Sequence, residues 1–246
     1  MSEYRYIHGF HAVIAKLRHS ASEVREVFLD QTRQDARARD LIKLAQTHGV
    51  HLILAEAARL DGMAGGRTVR HQGVVARVQA QQRVLKLDDV LDTLPEPALL
   101  LVLDGVQDPH NLGACLRVAD AAGAHAVIAP KDRACGLNAT AIRVASGAAE
   151  SVPFIMVTNL ARTLRELKER DIMTIGADAE AEKDLYALEQ TGAVAWVLGA
   201  EGEGLRRLTR ETCDCLARIP MQGSVASLNV SVASGICLFE ARRQRR

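Results

Sequence analysis

The chain has 246 residues, 31 Lys and Arg against 30 Asp and Glu, and 48% hydrophobic residues. That length fits one large domain or two unequal ones, and the apolar fraction is enough for a substantial core, which excludes wholesale disorder. The longest strongly apolar run, Ala98–Leu103, is far shorter than the ~20 residues a membrane helix needs. The opening MSEYRYIHGF has no basic stretch followed by an apolar one, so no secretory leader is expected and the cytoplasm is the expected location.

In chain order, Ile7 to Leu17 carries Ile7, Phe10, Val13, Ile14 and Leu17 at helical spacing. Val24, Val27 and Leu29 predict a short strand. A second helix is expected from Arg37 to His48, stopped by Gly49. His51–Leu54 reads as another strand. The stretch GMAGGRTVRHQGVVARV, with four glycines and three basic residues, predicts a loop feeding an edge strand. Residues 79–97 turn polar, then acidic, and close with Pro95 and Pro97, which predicts a linker. This first part is a small α/β domain, residues 1–78.

From residue 98 to 246 the pattern changes. Buried strands are predicted at Leu99–Asp104, Ala126–Ala129, Phe154–Val157, Met173–Ala177, Ala195–Leu198 and Leu216–Ile219. Helices fall between them, notably Leu112–Ala122, Leu160–Arg170 and Val230–Arg243. Short apolar runs separated by helices predict a parallel sheet covered on both faces.

The near-zero net charge hides an asymmetry. Residues 1–85 hold 13 Lys and Arg against 8 Asp and Glu, whereas the remainder holds 18 against 22. A basic first part hints at an anionic partner. Aromatics are only 3%, so a nucleic acid would be held through charge and shape more than through stacking. Five cysteines, an odd count, and a lone Cys213-x-Cys215 without a second ligand pair give neither a disulfide framework nor a metal site.

Three segments lie where chemistry belongs in such a fold, after the carboxyl ends of predicted strands. In LLLVLDGVQDPHNLGACLRVADAAGA, Asn111 is placed to cap the helix from Leu112, with Arg117 on its flank. A helix N-terminus beside an arginine suits an anion, and a plain cap with a surface arginine explains the same residues. In WVLGAEGEGL, Glu201 stands between glycines that let a ligand lie against the backbone, or that simply make a turn. In RIPMQGSVASLNVSVASGICLFE, Ser227 and Asn229 precede the last helix, and either is placed to cap it. No P-loop, no G-x-G-x-x-G after a strand and no G-x-S-x-G elbow is present, which argues against NTPase, dinucleotide and triad-hydrolase chemistry.

Taken together and in this order, DPHNLGACLR, LGAEGEGL and IPMQGSVASLNVSVA resemble the signature motifs of the SpoU family of RNA ribose 2′-O-methyltransferases, within the α/β-knot (SPOUT) superfamily. The likeness spans the chain. Its first ~80 residues resemble the L30e-like substrate-binding domain that often precedes the catalytic domain, and YIHGFHAV and RHQGVVARV are most similar to the branch acting on a guanosine of bacterial 23S rRNA. Cys115 departs from the bulkier aliphatic residue frequent in relatives.

The resemblance implies a C-terminal trefoil-knot domain with a parallel sheet, homodimers, and S-adenosyl-L-methionine as cofactor, with no metal. By motif position, Gly199, Ile219, Met221 and Leu228 would contact that cofactor, while Asn111, Arg117, Glu201, Ser227 and Asn229 would form the catalytic set. Arg117, a donor at any physiological pH, would stabilise the developing 2′-alkoxide. Asn111, Ser227 and Asn229 would orient the ribose or Arg117, and Glu201 would fix Arg117 or the cofactor loop or act as the base. Arg67 and Arg70 are the expected RNA contacts. Methylation of a transfer-RNA ribose would carry the same motifs, whereas non-catalytic RNA binding by the same fold would be expected to lose Arg117 or Asn229, and both are present.

Overall fold

The computed structural model describes residues 4–79, 86–200 and 202–246. The chain divides into two compact units, residues 1–84 and 85–246. The first comprises β1 (Tyr4–His8), α1 (Phe10–Ser20), β2 (Val24–Asp30), α2 (Ala36–Thr47), β3 (His51–Ala55), α3 (Ala57–Ala64) and β4 (Val74–Gln79). Its sheet has the order β1-β4-β2-β3, with β2 and β3 parallel and β4 antiparallel to both of its neighbours. Strand periodicity assigns its faces. Val74, Ala76 and Val78 enter a core with Phe10, Val13 and Leu17 of α1 and Leu41 of α2, while Val75 meets Phe28 and Leu60 on the other side.

Three expectations for this unit change. The helix begins at Phe10, because Tyr4–His8 pairs with β4 as a strand and Gly9, at φ +89°, turns the chain between them. β4 is an interior strand, not an edge: its VVARV pattern has buried side chains on both faces and both of its backbone edges are paired. Part of the glycine-rich stretch is helical. Gly62 lies within α3, whose fully buried Leu60 anchors it, and Gly65 ends it in the left-handed region.

In the second unit, a short α4 (Leu87–Leu91) lies inside the stretch expected as linker. Its Val90 packs with Leu100 and Leu164, so apolar burial overrides the polar composition; residues 80–85 of that stretch lie outside the described residues. Then follow β5 (Leu99–Asp104), α5 (Pro109–Ala122), β6 (Ala126–Pro130), α6 (Ala139–Val144), α7 (Ala148–Ser151), β7 (Phe154–Val157), α8 (Leu160–Lys168), β8 (Met173–Ala177), β9 (Val194–Gly199), α9 (Arg207–Thr212), β10 (Cys215–Ala217) and α10 (Val230–Gln244). The six strands form one sheet in the order β10-β8-β9-β5-β6-β7, and every pairing is parallel.

The central strand explains the layering. All six residues of LLLVLD are buried; Leu99, Leu101 and Leu103 face a core shared with α5 and α10, while Leu100 and Val102 face one shared with α4 and α8. Small residues let α5 approach its neighbours closely. A Cβ on Gly113 would stand 2.6 Å from the Ala141 carbonyl oxygen, and Cys115 Sγ lies 3.6 Å from the buried Ser234 Oγ of α10. The cysteine is fully buried in this seam.

The last turn of α10 ties that helix to three loops at the amino ends of the strands. Arg245 donates to the carbonyls of Pro97 (2.8 Å), Ala98 (3.0 Å) and Gly192 (2.5 Å), and Arg242 to those of Ala122 (2.9 Å) and Gly123 (2.7 Å). Beside them, His125 Nδ1 accepts the Leu99 N–H at 2.9 Å and its Nε2 faces Glu96 at 3.2 Å. Clamped at this end, α10 presents its N-terminus at the opposite end of the sheet.

Candidate active site

Strands β5 and β9 lie side by side at the centre of the sheet, yet the chain leaves them in opposite directions. After β5 it runs through α5 to β6 on one side; after β9 it runs through α9 to β10 on the other. The helices also cover opposite faces, α5 with α10 and α9 against α8. A crevice beyond the carboxyl ends of two such strands is the standard ligand position of an open parallel sheet. Asp104 and Gly199, paired across the ladder, mark its floor.

Three strand-end loops converge there. Gly105, at φ +87°, turns so closely that a Cβ on it would lie 3.8 Å from the Ala200 Cβ and 3.9 Å from the Arg133 carbonyl oxygen. Cys135 N–H donates to the Val106 carbonyl at 2.8 Å, joining the loops after β5 and β6. The loop after β9 folds back on itself: Gly204 N–H donates to Ala200 O at 3.0 Å, and a Cβ on Gly199 would sit 2.0 Å from the Gly204 carbonyl carbon. Only glycine fits at Gly199, because the loop's own main chain at Gly204 and Leu205 occupies the space where a side chain would project.

A second element of the site joins two helix N-termini. Asn229 caps α10, its Oδ1 accepting from Ser231 N–H at 2.9 Å and Ser231 Oγ–H at 2.6 Å. Its Nδ2 donates to Asn111 Oδ1 at 2.9 Å, bridging residues 118 positions apart. Asn111 is not the cap expected from sequence. Asp108 takes that role, accepting from His110 N–H at 2.9 Å, and Pro109 starts the helix. Asn111 therefore lies in the first turn of α5 with its side chain committed to Asn229.

The other expected residues distribute as follows. Arg117 is exposed on α5 and, among the described residues, has no hydrogen-bond or ion-pair partner. Ser227 is exposed in the loop before α10, while Met221 and Leu228 are half-buried in the same loop. Ile219 packs partly into the core beneath. Glu201 lies outside the described residues. Sequence reasoning missed Asp104 and Arg206, although an aspartate ending a wholly apolar strand was the available signal. The Asp104 side chain is completely buried and pairs with Arg206, accepting from its Nε at 2.6 Å and its backbone N–H at 3.0 Å.

The cysteines are all free, and those of the C-x-C face opposite sides of the sheet: Cys213 toward the α8 layer, Cys215 toward the α5 layer. Burial pushes the Cys213 thiol up to about 12, so it stays protonated. Among the described residues no group of three or more His, Cys, Asp or Glu is placed to hold a metal, and no helix is long and apolar enough to cross a membrane.

In the first unit, Arg67 and Arg70 are exposed on the turn between α3 and β4. His71, which sequence reasoning passed over, pins that turn. Its Nδ1 accepts the Gly73 N–H at 3.1 Å and its Nε2 lies 3.0 Å from Asp61 Oδ1, so the two arginines project from a fixed base.

Residues 98–239 match the SpoU rRNA Methylase family, and residues 6–84 match a substrate-binding domain of RNA 2′-O ribose methyltransferases. The chain belongs to the SpoU rRNA methylase family. Its sheet accordingly is the α/β trefoil-knot fold expected from the motifs, an exception to the rule that chains are unknotted. A relative from Ralstonia nicotianae, a 23S rRNA (guanosine-2′-O-)-methyltransferase RlmB, is 62% identical over all of this chain and 98% of its own length. The SpoU methyltransferase AviRb of Streptomyces viridochromogenes, solved with its cofactor AdoMet (S-adenosylmethionine), is 26% identical with a TM-score of 0.75 over 99% of this chain and 91% of its own. The TrmH/SpoU tRNA-modifying enzyme of A. aeolicus, 30% identical with a TM-score of 0.55, covers 61% of this chain and 78% of its own.

Proposed function

We propose that this chain methylates the ribose 2′-hydroxyl of a guanosine in 23S rRNA, using S-adenosylmethionine, and that it works in the cytoplasm as a homodimer. The observation that carries the reading is the convergence at the β5 and β9 carboxyl ends of a tight glycine turn, Gly199 packed on Gly204, with a bridged pair of asparagines. Similarity over the full length to 23S rRNA guanosine methyltransferases supports this substrate over transfer RNA. The A. aeolicus tRNA-modifying enzyme accounts for 61% of the chain.

The residues present fit the cofactor. An adenosyl group needs backbone donors and acceptors, which the turn that starts at Gly199 would offer; Ile219, Met221 and Leu228 would add apolar contact. When bound, S-adenosylmethionine supplies an electrophilic methyl group on a sulfonium that leaves as a neutral thioether, so no general acid is required. The protein must then align the 2′-oxygen and ease loss of its proton. Arg117, permanently cationic and with no partner among the described residues, would stabilise the alkoxide as it develops. Asn111 and Asn229, locked to one another, would orient the ribose from a fixed base, with Ser227 at the rim. Glu201 would hold Arg117 or the cofactor loop or take the proton, with a phosphate or water as the other acceptor. Arg67 and Arg70 would engage rRNA phosphates.

Self-association has its own support. Val232 and Phe239 lie seven apart on α10, 50% and 48% exposed, so they share one face. A partner subunit would cover them.

The test is transfer of labelled methyl to unmodified 23S rRNA and, in parallel, to unmodified transfer RNA. Label in a guanosine ribose of 23S rRNA alone is the expected result; label in transfer RNA overturns the substrate. Arg117→Ala should abolish transfer while cofactor affinity stays within about threefold, since the guanidinium acts on charge that appears only in the transition state. Normal turnover by that variant removes Arg117 from the mechanism.

A further inference from the structure

The loop Gly199–Gly204 is short, and Gly202 and Gly204 both have positive φ, +81° and +66°. Left to itself such a segment samples many shapes, and a ligand that needs one of them must supply the ordering free energy on binding. Both ends of this loop are fixed instead. At its start, Gly199 continues β9 and Ala200 bridges to Gly204. At its exit stands Arg206, held by Asp104 with both carboxylate oxygens: Oδ1 takes the guanidinium and Oδ2 takes the Arg206 backbone N–H. Asp104 is itself the ladder partner of Gly199. One buried side chain therefore sets the distance between the loop's entry and exit.

With the Asp104 carboxylate fully buried and the Arg206 side chain still 38% exposed, the pair mainly offsets the hydration the carboxylate loses and adds little net stability. What this pair adds is direction. An arginine fork and a backbone N–H converging on one carboxylate fix the side chain and the main chain of the same residue, which neither a leucine nor a lysine would do. Leu205, half-buried against Gly176 of β8, secures the neighbouring position without fixing its rotation.

We propose that Asp104 and Arg206 are positioning residues for S-adenosylmethionine: their pair holds the two ends of the loop, Gly199–Ala200 and Gly204–Arg206, at the spacing that receives the cofactor before the cofactor arrives. The proposal rests on the reading that this loop contacts the cofactor. Neither residue is required to touch S-adenosylmethionine or RNA. Their effect is therefore on cofactor affinity and not on RNA recognition.

The experiment measures S-adenosylmethionine affinity by calorimetry, and amide hydrogen exchange of the cofactor-free protein, for wild type, Asp104→Asn, Arg206→Lys, Arg206→Gln, Asp104→Asn/Arg206→Gln and Gly202→Val. Asp104→Asn and Arg206→Lys should each weaken cofactor binding about tenfold, while KM for RNA changes less than about twofold. Exchange should accelerate at residues 202–206 and stay unchanged in β6 and β7. The double variant should bind no more weakly than the weaker of Asp104→Asn and Arg206→Gln, as expected when both changes break one interaction.

Cofactor affinity within twofold of wild type in Asp104→Asn overturns the proposal, as does weakening in which the two single effects multiply. Acceleration of exchange across the whole sheet also overturns it, since the pair would then be a general stabiliser. Should Asp104→Asn fail to fold, Arg206→Lys, which keeps the buried charge paired, carries the same comparison. Gly202→Val separates the two levels of inference. If it leaves affinity unchanged, the loop is not a cofactor contact and the underlying reading fails. If it weakens binding while Asp104→Asn does not, only the positioning role fails.

Discussion

Asn229 performs two jobs that a pair of substitutions separates. Asn229→Ala removes the cap on α10 and the bridge to Asn111 together; Asn229→Asp keeps an acceptor for Ser231 N–H and loses only the Nδ2 donor. Loss of an asparagine cap costs about 1 kcal/mol, and loss of a neutral hydrogen bond about another 1 kcal/mol before allowance for the exposure of this one. Alanine should therefore lower the stability of the second unit by roughly 1–2 kcal/mol. Aspartate should cost less than about 1 kcal/mol, since a carboxylate at a helix N-terminus also meets the favourable end of the dipole. Urea unfolding followed by the single tryptophan, Trp196, reports the second unit directly, because that indole is fully buried there and donates to Gln190 Oε1 at 2.9 Å. Methyl transfer should fall in Asn229→Ala, which leaves Asn111 without its partner, and less in Asn229→Asp, where the Asn111 amide can turn to donate its own Nδ2 to the carboxylate. Equal destabilisation by alanine and aspartate would refute the capping argument. Full activity of Asn229→Ala would show that the asparagine bridge does not organise the site.

Other consequences are open to test. Arg67→Ala and Arg70→Ala should each weaken RNA binding and reduce the slope of log affinity against log salt by about 1, with little sequence dependence; an unchanged slope removes that turn from the interface. Gly113→Ala should destabilise the second unit by about 1–3 kcal/mol, as expected for overpacking, because the new methyl would meet the Ala141 carbonyl at 2.6 Å and Val144 Cβ at 2.7 Å. A wild-type unfolding midpoint in that variant would refute the helix contact. His125 predicts a pH effect. Burial, opposed by Glu96 and reinforced by Arg242, holds its imidazole below the ordinary 6.5. The unfolded chain then binds the proton first, so stability should decline as pH falls from about 6.5 towards the lower folded value. Titrating thermal stability of wild type against His125→Gln should show a shallower decline in the variant; parallel curves would contradict the assignment.

Much of the second unit is legible locally. Leu99–Asp104, Phe154–Val157 and Met173–Ala177 are strands at the boundaries their apolar runs suggest, since a strand packed on both faces is mostly apolar, with Asp104 and Thr174 the buried polar exceptions. The elements that escaped detection are short or marked by glycine: α3 is held by one buried leucine, α4 by one buried valine and α9 by two buried threonines, a signal too small to outweigh polar neighbours. β4 illustrates a different limit. Its alternation was visible, but whether it lay inside or at the edge depended on β1, which sequence reasoning had assigned to a helix.

At the site the division is similar. The likeness of three ordered motifs to a known family singled out Asn111, Arg117, Gly199 and Asn229; taken one at a time, a helix cap, a surface arginine and a turn explain the same residues. Tertiary structure decided which of them meet. Asn111 turned from a cap into a partner of Asn229, 118 residues away, because Asp108 already satisfies the first turn of α5. Asp104 and Arg206 acquired a role only once β5 and β9 were adjacent, 102 residues apart in the chain. Sequence by itself determined the buried strands, the two-part organisation and the chemical vocabulary of the site, since burial and backbone conformation are set by residues and their near neighbours. Its geometry came from the parallel ladder and the clamped α10, because contacts across a sheet depend on strand order and register, which no local pattern encodes.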